Sequence, residues 1–305
     1  MPKFTPKISV IIPCKNEVRD IKACIKSIND QTFSKKNYEI IVIDGGSTDG
    51  TLEFLDKQNH VRVFQEFGEH RSPANARNMG ANMAKGKILV FMDADVMFNN
   101  IYLETIYEHF KDKSVSAVTT KTQDVKNSTF LAKCYYAERC ASMPKRLAGV
   151  QCVRNDIFEN LGGFNPKLGV CEDVELWQRF VKSNYKATYE PKAIMFHKEP
   201  STFEELWRES KWWGHTYAVL LREKPGIAAK PITGIIYRTA TPFVVAAALF
   251  SGNFWLLMLS GFCIAENAYR MLKAAILSKY ALPSLLLPIF KTMRYYSLLA
   301  GIFTK

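Results

Sequence analysis

Short apolar runs, most of them ending in acidic residues, recur through the first third of the chain, and they constrain its fold more than any other feature. ISVIIP (8–13), EIIVID (39–44), VRVFQE (61–66) and KILVFMDAD (87–95) each read as a strand rich in Ile and Val. Helix-like stretches separate them. Ile21, Cys24, Ile25 and Ile28 fall at helical spacing, TLEFLDKQ (51–58) opens a second helix, and RSPANARNMGANMAKG (71–86) forms a third. This alternation predicts an α/β, Rossmann-like fold with a mostly parallel sheet flanked by helices. Ligands in such sheets bind beyond the carboxyl ends of the strands, where strand order reverses. Asp44, Asp93 and Asp95 stand at predicted strand ends, so a crevice lined by carboxylates is expected.

Composition and charge narrow the class. A chain of 305 residues, 48% hydrophobic and 23% charged, is globular and large enough for more than one unit. Its seven cysteines are scattered without a CxxC pair, which reads as reduced thiols and argues against a zinc site. The first apolar run, ISVII (8–12), is too short for a secretory signal and is expected to be a buried strand. Of the formal net charge of +12, +7 lies in the last 80 residues, which hold eight Lys/Arg and the single acid Glu266. These basic residues punctuate apolar runs and form no cluster, so no nucleic-acid partner is expected; an anionic membrane surface fits better.

Between Arg238 and Glu266 run 27 uncharged residues. A hydrocarbon core of about 30 Å needs roughly 20 helical residues, so a membrane region is predicted. One tilted span would leave Arg270, Lys273, Lys279, Lys291 and Arg294 across the bilayer from the earlier basic residues. A helical hairpin of about 231–250 and 254–276, turning at Ser251–Asn253, keeps them on one side. The hairpin is the expectation, with a basic–aromatic interfacial segment after it. The predicted organisation is therefore a catalytic part, 1–225, with REKPGIAAKP (222–231) as boundary, and a membrane-anchoring part, 226–305.

Asp93-Ala94-Asp95 carries the most chemistry. Two carboxylates spaced i, i+2 at a strand end suit a hard divalent ion, Mg²⁺ or Mn²⁺, which bridges a diphosphate and neutralises it as it leaves. In VIDGGSTDGT (42–51), Asp44 ends a strand before a loop whose glycines admit close approach of a ligand. Asp49 or Ser47 reads as the cap of the next helix. Neither the P-loop nor the GxGxxG spacing is present. Glu172-Asp173 opens a helical run, where an acid is either a proton acceptor or a favourable first-turn residue.

ISVIIPCKNE, VIDGGSTDGT, ARNMGANMAKGKILVFMDAD, the GGF of LGGFNPKLG and CEDVELWQRF occur in the order seen in glycosyltransferase family 2. The chain resembles that family over about residues 8–217. The resemblance implies a GT-A fold and inverting transfer of a sugar from a nucleoside diphosphate sugar, UDP- or GDP-linked. It places Pro13, Lys15 and Glu17 in the first nucleotide-contacting loop, Asp44 at the base and Arg77 beside the nucleotide and diphosphate. It makes Asp93 and Asp95 the nucleotide-sugar and metal aspartates, and Asp173 the base, with Glu172 beside it near the acceptor. His197 reads either as a third metal ligand or as a structural residue. Arg208 and Lys211, among Trp207, Trp212 and Trp213, read either as diphosphate or lipid-phosphate ligands or as a solvated face. The QxxRW motif of processive polysaccharide synthases is absent, since WQRF (177–180) does not match it, and this argues for transfer of one sugar.

The expected protein is thus a metal-dependent glycosyltransferase of the cell membrane with a cytoplasmic catalytic domain. Its expected acceptor is a membrane-embedded lipid, a polyprenyl phosphate or a lipid-linked glycan. A non-prenyl glycolipid acceptor is the enzymatic alternative, and a catalytically silent membrane scaffold is the alternative of another class.

Overall fold

The computed structural model describes residues 5–68, 71–126, 128–142, 150–226, 244–247, 249–251 and 254–285. They divide into two compact units, described separately: one within Met1–Val125 and Lys145–Lys198, the other within Lys126–Pro144 and Glu199–Lys305. The second unit thus takes in residues 199–225, which the sequence reading grouped with the catalytic part.

The first unit is built on eight strands: β1 (Ile8–Cys14), β2 (Tyr38–Asp44), β3 (Val61–Gln65), β4 (Ile88–Phe91), β5 (Val96–Phe98), β6 (Val115–Asp124), β7 (Cys152–Arg154) and β8 (Lys186–His197). They form one sheet in the order β3-β2-β1-β4-β7-β6-β8-β5. The first four strands of that order are mutually parallel, as is β6 with β8, whereas β7 and β5 run antiparallel to their neighbours. β1 and β2 are almost wholly buried because helices cover both faces, and such strands carry continuous rather than alternating apolar residues. The register aligns Cys14 with Asp44 and Asp44 with Gln65, so three carboxyl ends finish level. The chain winds outward from β1 to β3 and then returns to the other side of β1 as β4. That reversal opens a crevice beyond β1 and β4.

The helices of this unit are α1 (Ile21–Asn29), α2 (Thr51–Leu55), α3 (Pro73–Met83), α4 (Tyr102–Phe110), then α6 (Asn155–Asn160) and α7 (Glu172–Lys182); α5 (Phe130–Ser142) belongs to the second unit. α1 buries Ile21, Cys24, Ile25 and Ile28, the stripe its spacing predicts. α3 begins at Pro73 behind Ser72, whose hydroxyl accepts from Asn75 N at 3.2 Å. Its buried face is small, with Ala74, Ala76, Gly80 and Ala81, so its backbone settles close upon the sheet. A methyl at Gly80 would lie 2.4 Å from Ile11 Cγ2.

In the second unit, α8 (Phe203–Glu223) starts with a reciprocal cap. Thr202 Oγ1 accepts from Glu205 N at 3.2 Å, while Glu205 Oε2 accepts from Ser201 N at 2.8 Å. Tyr135 of α5 donates to Glu209 at 2.6 Å, and Arg139 pairs with the buried Glu199. A long helix follows at Phe254–Ser278, near the predicted second arm of the hairpin. Among the described residues no helix is long and apolar enough to cross a membrane. Glu266, Arg270 and Lys273 fall within the Phe254–Ser278 helix, and each charge opposes insertion. Residues 231–243 of the predicted first arm, residues 252–253 of its turn and the interfacial stretch from 286 lie outside the described residues.

Close packing at Gly80 yields a prediction. At an exposed helical site, Gly→Ala stabilises by about 1 kcal/mol. Here overpacking against the fully buried Ile11 reverses the sign, and Gly80→Ala is expected to destabilise by about 1–2 kcal/mol in urea unfolding.

Candidate active site

The loops after β1 and β2 are laced to each other. Asn16, with φ of 57°, donates its N–H to Ser47 Oγ at 2.8 Å and accepts from Thr48 N at 2.8 Å. Asp49 accepts from Val18 N and Thr51 N, each at 3.1 Å, which ties the start of α2 to the β1 loop. Asp44 is fully buried, and its carboxylate accepts from Gly46 N at 2.8 Å, from Ser47 N at 2.9 Å and from the Ser47 hydroxyl. Its visible task is to hold the Gly45–Ser47 turn. Pro13 is the penultimate residue of β1, and the exposed Lys15 follows the strand. A methyl at Gly45 would lie 3.3 Å from both Lys15 Cδ and Glu66 Oε2, so the loops after β1, β2 and β3 converge at that glycine.

Beyond β4, the antiparallel register with β8 pairs Val96 with His197 and carries the imidazole to the acidic pair. His197 Nε2 lies 3.9 Å from Asp95 Oδ2, and ligand atoms of Asp93, Asp95 and His197 all fall within 4.8 Å of one another. Two carboxylates and an imidazole, each part-exposed, suit a divalent ion such as Mn²⁺ or Mg²⁺. Glu17 lies on the other flank. Its pKa is raised to about 7, first by burial and then by the charges of Asp95 and Asp20, against the pull of Lys198. Lys198 holds Asp20 at 2.8 and 2.9 Å.

The third group is organised by Arg77, on α3. Its guanidinium donates to Asp93 Oδ1 at 2.5 Å and, through the other amino group, to Glu172 Oε1. It also lies over the Phe164 ring at 5.7 Å. At Asp93 burial opposes ionisation, but the charges of Arg77 and His197 outweigh it and hold the pKa below the ordinary value. At Glu172 and Asp173 burial dominates and pushes both carboxyls up. Glu172 is engaged by Arg77, whereas Asp173 accepts only the neighbouring Val174 N–H, at 2.8 Å, among the hydrogen bonds described. Asp173 is the better-placed proton acceptor. Cys171 enters α7 with φ of 58°, the left-handed region, so the turn that presents these two acids is strained.

Sequence reasoning did not single out the residues that hold this turn in place. Asn78 exchanges two hydrogen bonds with the Phe164 backbone, at 2.8 and 2.9 Å. Arg179 donates to Leu161 O and Gly163 O while paired with Glu175. Their signals, ARN and WQRF, sit inside the quoted motifs, but nothing in the spacing names a carbonyl as partner. The cluster lies entirely within the first unit; Arg208 and Lys211 are on α8, in the second, with Arg208 exposed and Lys211 half-buried.

A mixed sheet with a parallel half, its order reversal at β1/β4, acids beyond the strand ends and a second acidic pair on α7 has the α/β, GT-A-like arrangement that the sequence resemblance implies. Comparisons agree. Residues 9–165 match Glycosyl transferase family 2, and residues 88–303 match Glycosyl transferase family group 2. The glycosyltransferase AglE of Haloferax volcanii is 30% identical over 209 residues, 65% of this chain and 68% of that protein. The poly-beta-1,6-N-acetyl-D-glucosamine synthase of Staphylococcus aureus is 27% identical over 233 residues, 71% of this chain but only 56% of the synthase. The mannosyltransferase PcManGT of Pyrobaculum calidifontis, solved with GDP-Man and Mn²⁺, aligns with TM-score 0.56 at 21% identity. That alignment covers 98% of this chain and 87% of the other. TarS 1-349 of S. aureus with UDP aligns at 0.52 and 17% identity, over 96% and 90%. The chain belongs to glycosyltransferase family 2 and is a glycosyltransferase.

Arg77 is expected to matter for folding as well as for the site. Arg77→Met strands the buried Glu172 without its cation and should cost about 3 kcal/mol in urea unfolding. In a double-mutant cycle, adding Glu172→Gln should recover much of that loss.

Proposed function

We propose that this glycosyltransferase transfers a single sugar, with inversion and with metal dependence, from a UDP- or GDP-linked donor to a membrane-embedded lipid acceptor. The observation that carries the reading is the cluster of Asp93, Asp95 and His197, tied through the guanidinium of Arg77 to Glu172, the residue beside Asp173. Asp93, Asp95 and His197 would hold Mn²⁺ or Mg²⁺, which supplies positive charge for the departing diphosphate. Asp173 takes the proton from an acceptor hydroxyl as that oxygen attacks the anomeric carbon, and burial makes it a stronger base than an ordinary aspartate. Arg77 keeps Asp93 ionised and holds Glu172 close to it. In this reading Pro13, Lys15, Glu17 and Asp44 form the nucleotide end of the crevice.

The membrane part of the proposal rests on the second unit. α8 exposes Phe203, Trp207 and Trp212 beside Arg208, an aromatic–basic stripe suited to the bilayer interface. The Phe254–Ser278 helix leaves Phe254, Met258, Leu272 and Ile276 exposed. Held at the cytoplasmic face of the cell membrane, the enzyme would meet a polyprenyl phosphate or a lipid-linked glycan where such acceptors are concentrated. Arg208 and Lys211 suit the acceptor's phosphate.

The test is transfer by purified protein from a panel of UDP- and GDP-sugars to polyprenyl phosphate and to lipid-linked glycans, with Mn²⁺ or Mg²⁺, with and without chelator. Chelator-sensitive transfer from one donor is expected; nucleotide-sugar binding that ignores metal and Asp93→Ala alike would overturn the metal-dependent reading. Asp173→Asn should lower kcat at least 100-fold with a hydroxyl acceptor and abolish the acid limb of kcat/KM. That limb should lie above the ordinary aspartate range, with activity lost as falling pH protonates Asp173. With a lipid phosphate, whose nucleophile is already ionised, the same variant should keep most of its rate.

A further inference from the structure

The first unit leaves one aromatic side chain in solvent among its described residues. Phe67 is 66% exposed, two positions past the end of β3, and folding gains little from a ring left there. Its backbone is nevertheless fastened on both sides. Glu66 N donates to Asp44 O at 2.7 Å, and Asn75 Nδ2 donates both to Glu66 Oε1 and to Phe67 O, at 2.9 Å each. Glu66 Oε1 also accepts from Ser72 N at 2.9 Å, so the segment is clamped between the end of β2 and the start of α3. Gly68 follows directly, with φ of +114°. An exposed ring on an anchored backbone at the carboxyl edge is placed to meet a ligand there.

The surroundings identify the class of partner. The strand ends at Cys14, Asp44 and Gln65 are level, and the loops beyond them converge at Gly45, between Lys15 and Glu66. That junction offers a cation and carboxylates, and Phe67, one residue past Glu66, adds an exposed aromatic ring. We propose that Phe67 is a further donor-binding residue whose ring packs on the face of the donor's nucleobase. The inference rests on the nucleotide-sugar reading above and adds to it a residue that no motif in the sequence marks.

Isothermal titration of the full chain with Mn²⁺ tests it, using UDP, GDP and inorganic pyrophosphate as probes. Phe67→Ala should weaken binding of the preferred nucleotide about tenfold, the scale of one base–aromatic contact, and leave pyrophosphate binding unchanged. Phe67→Tyr should restore nucleotide affinity, and Phe67→Leu, which keeps apolar bulk without a π face, should fall with alanine. Because the ring is exposed, the melting temperature should stay within about 2 °C of the parent's in every variant, on the scale of a surface change. Nucleotide binding by Phe67→Ala within twofold of the parent overturns the proposal alone, as does an equal loss for pyrophosphate. A parent protein that binds neither nucleotide overturns the donor reading and this inference with it.

Discussion

Arg77 holds the site together. One guanidinium, nearly buried, spans a carboxylate at the end of β4 and another at the start of α7, segments that meet only because the sheet and α3 are already formed. Removing such a group from water is costly, and two carboxylate partners with short hydrogen bonds are what make it tolerable. The geometry passes down α3 to its small-residue face. Gly80 over Ile11 brings the helix close enough for the arginine, one turn earlier, to reach both acids. Packing and catalysis are therefore a single problem on this helix.

The same guanidinium explains why neighbouring acids differ in character. Asp93 keeps its charge because Arg77 and His197 offset its burial, while Asp173 receives less of that help and is pushed toward the protonated form. The two aspartates thus differ in the direction of their shifts by how much positive charge offsets the burial of each. Glu172, read from the sequence as a catalytic partner of Asp173, has a different visible occupation. Its carboxylate is bound by Arg77, so it acts on the site through the arginine.

Much of this was legible in the sequence, and the exceptions share a cause. Strands β1, β2 and β4 follow from short apolar runs rich in Ile and Val, α1 from its apolar spacing, and the acidic strand ends from position alone. What periodicity does not encode is register between distant strands. His197 comes near Asp95 because β8 pairs antiparallel with β5, far away in sequence, in a register that aligns Val96 with His197, Met97 with Phe196 and Phe98 with Met195. The antiparallel insertion of β7 between β4 and β6 was likewise hidden, since three residues show no pattern. At the C-terminal end the described helix, Phe254–Ser278, starts where the second arm of the expected hairpin does, but its charges at Glu266, Arg270 and Lys273 leave no helix among the described residues apolar enough to cross a membrane.

The crevice is also electrostatically unfinished. Glu17, Asp20, Asp93 and Asp95 crowd the ends of two strands, and Arg77 and Lys198 answer only part of their charge. The surplus is visible at Glu17, where burial and then the repulsion of Asp95 and Asp20 lift the pKa to about 7. A carboxyl whose folded pKa exceeds its unfolded value binds protons more tightly in the native state. It therefore subtracts stability as pH climbs from the ordinary glutamate range toward 7. A fold selected for stability alone would replace one of these acids with an apolar side chain. Asp93, Asp95 and His197 are spaced to suit a divalent cation, whose charge would offset this repulsion.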